Sequence, residues 1–107
     1  MAAARKLIHS VFFTLKASSA EARQKLVAAC NKYLTGHPGA LSFSTGTRAE
    51  NLNRPVNDRD FDVSLQILFS DEEAHDRYQQ APRHLQFVEE NKDTWKQVRV
   101  FDSLVEE

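Results

Sequence analysis

One cysteine, three glycines, three prolines and one methionine are all that this 107-residue chain holds of those four types. The lone thiol, Cys30, cannot close an intramolecular disulfide, so a disulfide-stapled scaffold is excluded and a reducing, cytoplasmic setting is expected. Three glycines in no nucleotide-binding pattern exclude a phosphate-cradling loop. No stretch approaches the roughly 18 apolar residues that a membrane-spanning helix needs. Charge excess is missing as well, with 14 Lys and Arg against 15 Asp and Glu and no long basic block. Phosphate backbones and anionic lipid surfaces both recruit clustered cations, so neither nucleic acid nor a membrane is an expected partner. The four histidines show no short paired spacing and have no cysteine to join, so no metal site and no cofactor is expected. No serine sits in a nucleophile-elbow context, which argues against a Ser-His-Asp hydrolase.

What the chain does hold is an ordinary globular mixture, 41% hydrophobic and 27% charged, in a length that suits one domain over residues 1–107. Arg5-Lys6 followed by Leu7–Leu15, with Ala17-Ser18-Ser19-Ala20 behind, superficially resembles a secretion signal. The run is short for that purpose and contains His9 and Ser10. Its residues alternate instead: Leu7, His9, Val11, Phe13 and Leu15 on one side, Ile8, Ser10, Phe12 and Thr14 on the other. Leu7–Lys16 therefore reads as a first strand. No repeat or low-complexity stretch stands out beyond the short Ala2–Ala4 run.

Ser18-Ser19-Ala20-Glu21 has the form of a capping box, and Ala22, Leu26, Cys30 and Tyr33 recur at helical spacing. This predicts a helix from about Ser19 to Thr35, stopped by Gly36 and Pro38, with Cys30 as core filler. Ala40–Arg48 reads as a second strand, with Leu41, Phe43 and Thr45 on one face. Ala49–Asp60 is a polar, aperiodic loop. Phe61–Phe69 alternates most clearly, and its Phe61, Val63, Leu65, Ile67 and Phe69 face is the expected core. Asp62 is assigned to the opposite, polar face, orienting Arg99 or Arg48. Ser70-Asp71-Glu72-Glu73 is a second box-like cap, opening a helix to about Gln80 with Ala74 and Tyr78 on one face. Pro82 starts a further helix, as proline suits a first turn, with Leu85 and Val88 on its apolar face and Phe87 adjacent. Trp95–Leu104 is the last strand. His37 and His75 are expected in a loop and on a helix surface.

The order strand, helix, strand, strand, helix, strand is that of an α+β, ferredoxin-like βαββαβ domain with an antiparallel sheet. One sheet face is helix-covered. The other carries Ser10, Thr14, Ser42, Ser44, Ser64 and Gln66 together with Phe12 and Phe101. Either that face stays solvated, or the sheet of a second copy covers it.

Three stretches, "LIHSVFFTLK", "GALSFSTGTR" and "FDVSLQILFSDEEAHDRYQQAPRHLQFVEE" with "VRVFD", resemble the stress-responsive A/B-barrel (Dabb) family along roughly Leu7 to Asp102. The resemblance implies a homodimer formed through the sheet faces, a dimeric α/β barrel. It also implies a pocket. In a plant polyketide cyclase of the family, the catalytic Tyr and His fall on Tyr78 and His84, and a first-strand His falls on His9. That enzyme has a His where this chain has Val63, and Ala81 replaces the first His of the family's usual Pro-flanking pair. The implied pocket carries over more readily than the cyclisation itself.

The chemistry suits the residue types. His84 can take or return a proton near neutral pH, and the Tyr78 phenol can donate to a developing enolate or alkoxide. Six residues apart on one straight helix they would diverge, so a kink at Ala81-Pro82 is required to bring them to one cavity. His9 would join them, and Val11, Phe13, Phe43, Leu65 and Trp95 would supply apolar walls. The expected ligand is a small, largely apolar molecule, with cyclisation or isomerisation by proton transfer as the candidate reaction. The alternative is a non-catalytic stress-associated structural or interaction domain, its cavity filled by Phe43, Phe87 and Trp95. A cofactor-free oxygenase ranks third.

Overall fold

The computed structural model describes residues 5–106, so the Ala2–Ala4 run lies outside the described residues. Eight elements follow one another: β1 (Leu7–Leu15), α1 (Ala20–Tyr33), β2 (Ala40–Thr47), β3 (Val63–Phe69), α2 (Glu72–Gln80), α3 (Pro82–Asn91), a 3-10 turn (Lys92–Thr94) and β4 (Trp95–Leu104). The strands form one antiparallel sheet in the order β2-β3-β1-β4, which is the ferredoxin-like arrangement.

Period-two patterning decides which face is covered. Leu7, Val11, Phe13 and Leu15 of β1 and Val63, Leu65, Ile67 and Phe69 of β3 are all buried. They meet Leu26, Cys30 and Tyr33 from α1, Leu34 just after it, and Ala74, Tyr78 and Phe87 from the later helices in one core. Burial raises the Cys30 thiol to about 11, so it packs as a small apolar group. Gly39, with φ +82°, lets β2 begin against α2, where a Cβ would come within 2.4 Å of the Ala74 Cβ.

Five local expectations are corrected. The α1 cap is Ser19, accepting from the Ala22 amide; Ser18 bonds Asp62 instead. Asp71 caps α2 through the Ala74 amide. Leu41 sits at an irregularity between Ala40 and Ser42 and is exposed, so it leaves the face it was to share with Phe43. Phe61 precedes the strand and packs edge-on against Phe12 on the uncovered face, ring centroids 5.1 Å apart. On α3 the buried residue is Phe87, whereas Leu85 points to solvent.

Asp62 is the largest departure. It is buried, not on the polar face, and orients neither arginine. Its carboxylate accepts from the Leu15 amide at 2.8 Å and from the Ser18 hydroxyl. Its own amide donates to the Phe13 carbonyl at 2.7 Å. Backbone groups at the end of β1 are thereby satisfied where the ladder stops. Arg99 pairs with Asp58 at 2.7 Å instead, and Arg48 donates to the Arg59 and Phe61 carbonyls.

The helices cover β2, β3 and β1 better than they cover β4. Val98 and Val100 of β4 lie opposite the inward-facing Phe13 and Val11, yet are 38% and 50% exposed. The gap between this edge of the sheet and the helices is where the cavity opens.

Candidate functional site

A cavity of about 390 Å³ lies between the β1-β4 half of the sheet and the α2-α3 pair. Its floor is Val11, Phe13, Leu65, Val98 and Val100; Tyr78, His84, Phe87 and Val88 close it from the helices, and Trp95 stands at one end. Of the residues singled out in the sequence, His9, Val11, Phe13, Leu65, Tyr78, His84 and Trp95 line it. Phe43 does not: β2 is at the far edge of the sheet from β4, and Phe43 packs on the core there.

The break at Ala81 brings Tyr78 and His84 together. Ala81 has extended backbone angles and ends α2, while Pro82 begins α3. Proline lacks the amide that would continue the ladder and its ring disfavours a helical residue before it. The redirected chain sets the Tyr78 and His84 rings 4.7 Å apart. Tyr78 is held from several sides, with its ring 5.2 Å from Phe69 and edge-on to His37 at 4.9 Å. Burial, with Cys30 nearby, pushes its phenol well above the ordinary value, so it stays a proton donor. His84 is held below its usual value first by burial and then by the neighbouring His9, against a smaller opposite pull from the Gln79 backbone, with His37 and His75 adding to the lowering. Its Nδ1 is buried without a hydrogen-bond partner, as is the Trp95 Nε1. Such unpaired atoms each cost about 1–3 kcal/mol and concentrate here at the cavity wall.

His9 has a partner that the sequence reading missed. β1 and β4 pair His9 directly with Asp102, and the His9 Nδ1–H donates to the Asp102 carboxylate at 2.5 Å. Burial lowers the His9 pKa; the Asp102 hydrogen bond and charge act the other way, and His75 adds to the lowering. His75 was expected on a helix surface. It lies one turn before Tyr78 on the inner side of α2, its ring 5.0 Å from His9 and 5.6 Å from Phe69, and it lines the cavity. His37 is buried, donating from Nε2 to the Tyr33 carbonyl at 2.7 Å. Among the described residues, His9, His75 and Asp102 place one potential ligand atom each within 4.8 Å of one another. The available signals were the i to i+3 spacing of His75 and Tyr78 and an acidic residue in phase with Val98 and Val100.

The uncovered sheet face carries a second aromatic group. Phe12 contacts Phe61 and, at 5.8 Å, Phe101, and Ile8 and Phe101 are exposed.

The family model for the stress responsive A/B barrel domain matches residues 7–105. The chain belongs to this family. No curated protein matches the sequence. A Dabb family protein with a ferredoxin-like fold from Mesorhizobium loti superposes with a TM-score of 0.78 at 23% identity, over 96% of this chain and 99% of that one. A hydroxynitrile lyase from Passiflora edulis gives 0.75 at 20% identity, over 96% and 95%. A dimeric ferredoxin-like protein from Thermobifida fusca gives 0.78 at 12% identity, over 95% and 92%. At these identities the likeness to each of these structures concerns the fold. Among the described residues, no helix is long and apolar enough to cross a membrane.

Proposed function

We propose that this A/B-barrel domain works as a homodimer whose protomers each bind a small, largely apolar molecule in the cavity under α2 and α3, and that Tyr78 and His84 carry out proton transfer on it. The observation that carries this reading is the meeting of Tyr78 and His84, 4.7 Å apart, on the wall of a cavity otherwise lined mainly by apolar side chains. A phenol that keeps its proton supplies a donor for a developing oxyanion. A neutral imidazole beside it supplies a base. A hydroxynitrile lyase among the structural relatives is consistent with such chemistry on this scaffold. The reaction class is cyclisation, isomerisation or lyase-like cleavage without a cofactor.

Dimerisation is supported by the exposed Ile8 and Phe101 beside Phe12 and by relatives described as dimeric. The non-catalytic alternative needs the cavity filled by Phe43, Phe87 and Trp95. Phe87 and Trp95 stand in its wall, centroids 5.7 Å apart, and still leave about 390 Å³.

The test is ligand-observed NMR against small apolar carbonyl compounds, followed by turnover assays on any compound bound. Tyr78→Phe and His84→Ala are expected to keep the fold, seen by circular dichroism, and to lower turnover about 100-fold each. Unchanged turnover in both variants would remove the proposal.

A further inference from the structure

We propose that His9, His75 and Asp102 form a binding site for a divalent transition-metal ion of the zinc type on the cavity wall. It goes beyond the reading above and does not depend on the Tyr78–His84 pair.

The topology puts these groups together. β1 and β4 place His9 opposite Asp102, and α2 lowers His75 onto both: its ring lies 5.0 Å from that of His9, and its Nε2 is 4.0 Å from Asp102 Oδ2. Two imidazoles and one carboxylate suit borderline ions such as Zn²⁺ or Co²⁺ rather than the all-oxygen preference of Ca²⁺ or Mg²⁺.

The His75 ring is already set for coordination. Its Nδ1–H donates to Asp76 at 3.2 Å, while the Gln79 amide nitrogen donates to its Nε2 at 3.4 Å. These contacts put the ring proton on Nδ1, facing the Asp76 carboxylate, and leave Nε2 as an acceptor, held at present only by the long Gln79 contact. That is the carboxylate–histidine–metal arrangement by which a second partner fixes a ligand's tautomer. The metal would displace the long Gln79 contact.

Modest movement completes the site. Metal bonds of about 2.0–2.1 Å require ligand atoms about 3.4 Å apart in a tetrahedron. The 2.5 Å His9–Asp102 contact must open and the widest separation, at most 4.8 Å, must close. Asp102 can supply much of this, because its side chain is 38% exposed. The ion takes the place of the hydrogen between His9 Nδ1 and Asp102, and that proton moves to Nε2, so the imidazole stays neutral. Three protein ligands leave a fourth position for water or another small donor, as in catalytic rather than structural zinc sites.

The test is isothermal titration of the tag-free, chelator-treated protein with ZnCl₂, checked by the visible spectrum with CoCl₂. One ion per chain is expected. His75→Ala and Asp102→Asn, each confirmed folded by circular dichroism, are expected to weaken binding by roughly 100-fold. The absence of saturable uptake by the unaltered protein, or equally tight uptake in both variants, would overturn the site. No organic ligand enters the measurement, so its outcome is separate from the fate of the Tyr78–His84 proposal.

Discussion

Lowering the pH from 7.5 to 5.5 should destabilise this fold, through His9 and His84. Both imidazoles titrate below their ordinary value of 6.5, burial being the largest cause for each. In the unfolded chain they take up protons as the pH falls through about 6.5; in the folded chain they resist until lower pH. Over that window the unfolded state binds more protons, so stability is fully present above 6.5 and is lost as pH falls through the folded values. Each proton taken up only by the unfolded state contributes a slope of at most about 1.4 kcal/mol per pH unit, so the pair sets a ceiling of about 2.7. The Asp102 partner, which favours charged His9, keeps the observed slope below that ceiling. Urea unfolding at half-unit steps between pH 5.5 and 7.5 measures it. His84→Gln should remove a large part of the slope without abolishing it, because His9 remains. A flat profile, or stability that rises as the pH falls, would refute the reasoning.

Asp62→Ala should cost about 1–3 kcal/mol, because it strips the Leu15 amide and Ser18 hydroxyl of a buried acceptor; denaturant midpoints measure this, and an unchanged midpoint would contradict the assignment. Phe101→Asp puts a charge into the exposed aromatic group of the uncovered face. Sedimentation should then show the dimer weakened by about 100-fold or more, whereas an unaltered dimer would place the interface elsewhere.

The strands and their helix-covered face were readable because β1 and β3 alternate over their whole length: one face of each is buried by the helices. The two-part helix was readable from Pro82, whose covalent geometry forbids a continuous one. What escaped depended on pairings between distant segments. Asp102 lies 93 residues from His9, and only the strand register makes them neighbours. Asp102 shares the face of Val98 and Val100, which the helices leave partly open. Asp62 read as a surface residue because alternation was carried one step too far: the strand begins at Val63, and Asp62 and Phe61 follow the turn geometry before it. On α3 Leu85 was misplaced because it is apolar yet exposed, while His84, Phe87 and Val88 face inward.

The most direct measurement of the central claim is native mass spectrometry of the protein incubated with small, largely apolar carbonyl compounds, repeated with Tyr78→Phe. A two-chain species carrying up to one small molecule per chain, depleted in the variant and lost on denaturation, is predicted. A monomer, or a dimer that stays bare with every compound, would contradict it.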